Sequence, residues 1–159
     1  MERASEAILA YGYDLGENLR DLLDASVTEL SYPAWLVDPE HHDDPIGCAE
    51  RQLLAQLASF TETDFTVDGY RDRQREAEAR LSVEFWTYGS ESRPRFLLAA
   101  HVSFVMDFGQ VGNIDMLDLM QRRESENWDE KLHAAMAALR ITPLQEWAQA
   151  QWLLCSYMG

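Results

Sequence analysis

From Arg95 to Phe108 the chain alternates. Phe96, Leu98, Ala100, Val102, Phe104, Met106 and Phe108 are apolar, and Arg95, Leu97, Ala99, His101, Ser103, Val105 and Asp107 form the other set. A period of two with one apolar side is the signature of a long, half-buried strand. Just before it, Val83, Phe85 and Thr87 alternate with Ser82, Glu84, Trp86 and Tyr88, and GSESRP at 89–94 reads as a turn. Strands near 82–88 and 95–108 are therefore predicted to form an antiparallel hairpin with a loop of about six residues. Near the start, AILAYGY predicts a strand over 7–13, apolar on both faces, with Gly12 marking a bulge or a close backbone approach. At the end, WLLCSY predicts a last strand near 152–157. A helix from Pro143 through Cys155 is the competing reading, because short apolar runs suit either element.

Helical spacing occupies the stretches between. Asp44 and Pro45 open a helix near 45–60 as N-cap and first residue, with Leu53, Leu54, Leu57, Ala58 and Phe60 as its buried side. Asp68 is placed to cap a helix over 68–81 with a thin stripe of Tyr70, Ala77 and Leu81; its dense alternating charge reads as a solvated face. Asn127 and Glu130 form a capping-box pair at the head of a helix near 127–140, whose stripe is Trp128, Leu132, Ala135, Met136 and Leu139. Residues 19–36 predict a short helix ended by Pro33 and then irregular chain, and 115–120 a short helix or extended segment. The expectation is a single α+β domain over 1–159, an antiparallel sheet of about four strands with helices packed on it. The helices near 45–60 and 127–140 are expected to cover the apolar face of the central strand.

Composition agrees with a folded chain: 47% of the 159 residues are hydrophobic, with five Trp, six Tyr and six Phe. The N-terminus has no basic start or cleavage pattern of a signal peptide, and no apolar run approaches the roughly 20 residues of a membrane helix, so a cytoplasmic location is the default expectation. Cys48 and Cys155 stand far apart on a predicted helix and a predicted strand and read as small buried hydrophobes, not as a disulfide or a reactive thiol.

Charge changes the picture more. The net charge is −15, and residues 1–50 hold 12 acids against two Arg. Such a field repels nucleic-acid phosphates and suits a basic protein partner, a cation, or mimicry of nucleic acid. The acidic loop at 38–45, with Asp38, Glu40, Asp43 and Asp44, is the expected partner-binding surface. His41 and His42 beside Asp43 offer metal-ligand types, but adjacent loop residues seldom converge on one ion, and a solvated capping loop is the preferred reading.

The other constellation is His101 with Glu84, Ser103 and Asp107, which a hairpin could bring to one face. No G-x-S-x-G elbow accompanies it, so His101 and Glu84 stand only as secondary catalytic candidates. The glycines form neither G-x-G-x-x-G nor a phosphate loop, and no cofactor is implied.

The segments AILAYGYDLG, FTETDFTVDGYRDRQREAEARLSVEF, WDEKLHAAMAALRITP and QWLLCSYMG together resemble a group of small acidic proteins found in actinobacteria and their bacteriophages. The similarity spans most of the chain. It implies a strand at the WLL-SY end and an accessory role in a phage or mobile element, and it carries over no functional residue. The expectation is a non-enzymatic protein that binds a basic partner, as a nucleic-acid-mimicking inhibitor in its sharpest form. An enzyme or ligand-binding domain using the mixed face of the hairpin is the alternative, and a structural homo-oligomer the second alternative.

Overall fold

The computed structural model describes residues 5–37, 44–105, 111–143 and 149–158. Its principal elements are β1 (Ser5–Gly16), α1 (Pro45–Leu57), α2 (Tyr70–Leu81), β2 (Glu84–Ser90), β3 (Arg93–Val105), α3 (Met116–Ser125), α4 (Trp128–Leu139) and β4 (Gln151–Met158). The fold is α+β. The sheet runs β1-β3-β2-β4 and closes on itself. β1 pairs antiparallel with both β3 and β4, and β2 pairs antiparallel with β3. The closing contact corrects the antiparallel expectation: β2 meets β4 in parallel, through Gly89–Tyr157 and Ser90–Met158.

The hairpin is tighter than six residues. Pairing continues to Ser90–Arg93 and leaves only Glu91 and Ser92 in the turn. Gly89 makes this feasible, at φ +90° with Pro94 as its cross-strand neighbour; a Cβ there would sit 2.9 Å from the Arg93 carbonyl oxygen.

A bulge in β3 overturns the single apolar face. Tyr11 pairs with His101, but Gly12 pairs with Ala99, so β3 carries one extra residue at Ala100. Gly12 permits it: a Cβ at that position would run into the Leu98 carbonyl oxygen and lie 2.8 Å from Ala99 Cα. The alternation inverts there. Phe96, Leu98 and Ala100 pack with the helices, whereas Val102 joins the opposite face with Ile8, Ala10, Leu97, Ala99 and Leu153. Phe104 stacks on Trp86 at 5.3 Å between centroids. The predicted course of this strand beyond Val105 lies outside the described residues.

The larger core joins β1, α1, α2, α4 and the helix side of β3 around Tyr11, Leu53, Leu98, Trp128, Leu132 and Leu139, all nearly or fully buried. α1 starts as expected, with the Asp44 carboxylate accepting from the Gly47 N–H at 2.9 Å and Pro45 in the first turn. The other two predicted caps do not form. α2 begins after Gly69, at φ +75° and with no side-chain cap, instead of at Asp68. Asn127 is left-handed at φ +55° and makes no side-chain cap bond, because it turns the chain from α3 into α4 within two residues. Asn tolerates that backbone region better than most residues.

Residues 19–36 form short 3-10 turns instead of a helix. They are tied to the end of α4 by Trp35 Nε1–H, which donates to the Leu139 carbonyl at 2.9 Å, and by the Leu23–Ile141 bridge. The 115–120 stretch resolves as the helix α3. Among the described residues no helix is long and apolar enough to cross a membrane. Cys48 is buried and Cys155 half-buried.

Candidate functional site

α1, α2 and the start of β2 meet around a cleft of about 690 Å³. This falls within the volume of ordinary ligand sites, roughly 300–1,000 Å³. Its apolar walls are Leu53 and Leu54 of α1, Tyr70 and Leu81 of α2, and Val83 and Phe85. The four helix residues also pack in the larger core, so the cleft is walled by the inward sides of α1 and α2 and the start of the hairpin.

The polar lining is acidic. Asp44 stands at the N-cap of α1, Glu50 on its second turn, Glu78 on α2 and Glu84 at the first position of β2, with Arg51 and Gln74 beside them. The Gln74 amide donates to Glu78 Oε1 at 2.9 Å, and Arg51 reaches the Cys48 sulfur at 3.1 Å. Glu50 keeps solvent access within the cleft. The surrounding protein nevertheless pushes its carboxyl above the usual value, first by burial and then by repulsion from Asp44 and Glu78, with Arg51 opposing and Glu84 adding to the rise. A carboxyl raised this way marks a place where negative charge is stored at a cost, and an incoming cation relieves it.

Two residues singled out separately from the sequence, Asp44 and Glu84, thus share one wall system. Asp38, Glu40, His41, His42 and Asp43 lie outside the described residues. Among the described residues no group of three or more His, Cys, Asp or Glu is arranged to hold a metal ion. Glu50 and Glu78 were not legible as site residues. Each looks like ordinary helix-surface charge until the two helices are placed side by side.

His101 does not line the cleft that Glu84 lines. Glu84 is opposite Ala99, and the β2 ladder ends there. His101 lies past the bulge, opposite Tyr11, with its ring stacked on Trp128 at 5.2 Å and 5°. Its Nε2 is 2.9 Å from the Ser103 hydroxyl. Burial, helped by the Arg122 charge, lowers its pKa against the opposing pull of Glu126, Glu84 and Asp118, which disfavours the charged imidazolium. Around it, Trp128 Nε1–H donates to Glu126 at 2.8 Å and Tyr11 meets Trp152 at 5.0 Å, a wall of aromatics rather than an open site.

A second recess of about 500 Å³ lies beside α4, lined by Tyr13, Arg123, Asp129, Glu130, His133 and Gln149. Two of its charges are paired with each other: Arg123 Nε and NH2 both donate to Asp129 Oδ2, at 3.0 and 2.7 Å. Compared with known proteins, the chain matches no family model, no curated protein and no solved structure.

Proposed function

We propose that this chain is a non-enzymatic accessory protein, of the phage or mobile-element kind, that acts by binding the basic surface of another protein. The observation that carries this reading is the convergence of Asp44, Glu50, Glu78 and Glu84 on one apolar-walled cleft, in a chain of net charge −15. Apolar walls contribute desolvated contact area, and the carboxylates select lysine or arginine side chains and steer the encounter. A surface of this kind competes for partners that otherwise hold phosphates, which is how an acidic protein mimics nucleic acid.

Immobilised protein incubated with host lysate tests the reading. A basic partner is expected to be retained at low salt, released as salt rises, and displaced by duplex DNA. Glu50→Gln/Glu78→Gln/Glu84→Gln is expected to abolish retention while leaving the fold intact by circular dichroism. Retention that ignores both salt and the triple substitution sinks the proposal.

A further inference from the structure

The cleft has a neighbour across α2. Tyr70, Gln74 and Glu78, one helix stripe at i, i+4 and i+8, line the cleft and also a recess of about 390 Å³ with Phe65, Arg71 and Arg75. The two cavities therefore adjoin along this stripe. Their centres lie on the order of 10 Å apart, the width of a helix with its side chains.

The two ends differ in chemistry. Around the cleft, Asp44, Glu50, Glu78 and Glu84 stand against Arg51, so its preference for a cation is local. The recess is aromatic and cationic. Phe65 is 77% exposed, yet the turn that carries it is tied down. Asp64 Oδ1 accepts from the Thr66 N–H at 2.9 Å and from its hydroxyl at 2.6 Å. Arg73 donates to both Glu62 carboxylate oxygens, at 2.7 and 2.6 Å, and to the Asp68 carbonyl at 3.0 Å. The Tyr70 ring is set against Phe60 at 5.6 Å between centroids. Arg75 is exposed and comes no nearer than 3.9 Å to Asp72. A fixed phenyl ring with two guanidinium groups beside it suits a further aromatic ring, by stacking and by cation–π attraction. A carboxylate suits it poorly, because Glu78 lines the same recess.

We infer that the cleft and the recess together take one extended segment of the partner protein, with a Lys or Arg in the cleft and an aromatic residue three to four positions away in the recess. An extended chain rises about 3.3 Å per residue, so three to four residues cross the helix. The basic half of this motif rests on the function proposed above. The aromatic half rests on Phe65, Arg71 and Arg75 alone. Requiring both distinguishes the partner from other basic segments that an acidic surface attracts.

The test titrates the full isotope-labelled chain at low salt with two end-blocked pentapeptides, Arg-Gly-Gly-Gly-Trp and Arg-Gly-Gly-Gly-Ala, followed by NMR. The Trp peptide is expected to bind about three- to tenfold more tightly and to shift amide signals at 65–75. Phe65→Ser, at an exposed position, is expected to erase that preference and leave the affinity for the Ala peptide unchanged. Arg71→Gln/Arg75→Gln is expected to reduce the preference, and Glu50→Gln/Glu84→Gln to weaken both peptides alike. Equal binding of the two peptides to the wild type, a Trp preference that survives Phe65→Ser, or no binding of either overturns the inference. Binding of the Ala peptide that still depends on Glu50 and Glu84 then leaves the cleft reading in place. A Phe65-dependent preference in peptides that ignore both glutamates does the reverse: it upholds the aromatic half and counts against the cleft.

Discussion

The Tyr11 hydroxyl donates to Asp129 Oδ1 at 2.5 Å, joining the middle of β1 to the first turn of α4 across 118 residues of sequence. Arg123 holds the other carboxylate oxygen at 2.7 Å and lies over the Tyr11 ring at 4.9 Å. Burial pushes the Asp129 carboxyl up, but hydrogen bonds from Arg123 and Tyr11 and the Arg123 charge outweigh it and hold the carboxyl below its usual 3.8. Burial first, then the Asp129 bond, drives the Tyr11 phenol well above its usual 10.0. Tyr11→Phe keeps the ring packing and deletes a bond to a charged group, so it is expected to cost about 1.5–3 kcal/mol in chemical denaturation at neutral pH. A loss below a few tenths of a kcal/mol would show the contact to be incidental.

The same pair sets a dependence at both ends of the pH scale. A lowered Asp129 stabilises above pH 3.8, and that stability is lost as pH falls through its folded-state value. A raised Tyr11 stabilises below pH 10.0, and that part is lost as pH climbs above it. Thermal melts across pH are expected to fall away at both ends in the wild type, and less steeply in Tyr11→Phe.

Gly12→Ala is expected to be among the most damaging single-methyl changes in the chain. The added carbon meets backbone atoms at Leu98 and Ala99, which have no rotamer to yield. Overpacking of this kind costs about 1–3 kcal/mol, and more where backbone must shift. Urea titration measures it, and an unchanged midpoint would refute the bulge geometry.

Glu50→Gln is expected to stabilise. A carboxyl raised above its usual 4.5 disfavours the folded state once ionised: its contribution is present below pH 4.5 and lost as pH rises through the folded-state value. Because Glu50 keeps solvent access, the gain at pH 7 is small, about 0.2–1 kcal/mol, and it vanishes in acid. Differential scanning calorimetry at pH 7 and pH 4 checks both statements.

His101 is expected to titrate below its usual 6.5 in a proton NMR titration. Its stability contribution is present above pH 6.5 and lost as pH falls through the lowered value, because protonation places a charge against Trp128 and near Arg122. His101→Phe is expected to flatten the melting temperature between pH 6.5 and 5. A titration above 6.5 would instead point to a carboxylate partner for the ring.

Local chemistry was enough to place most elements. The stripe Trp128, Leu132, Ala135, Met136 and Leu139 can be buried only as a helix, and α4 is that helix with all five buried. Asp44 with Pro45 is a helix start wherever it occurs, and the four strands lie close to their predicted spans. Gly12, flagged as a bulge or a close approach, turns out to be both.

What tertiary structure decided is which of these surfaces meet. A bulge of one residue at Ala100 reverses every side chain after it, since strand alternation has a period of exactly two, and nothing in the Phe96–Phe108 pattern records where the extra residue falls. That reversal sends His101 to the helix side against Trp128. The cleft and the closure of the sheet are likewise products of packing. Glu50, Glu78 and Glu84 are far apart along the chain, and β2 meets β4 only because a strongly curved sheet returns on itself. Sequence determines the elements through short-range periodicity and capping. The sites arise from long-range docking, which depends on the shape of the whole core.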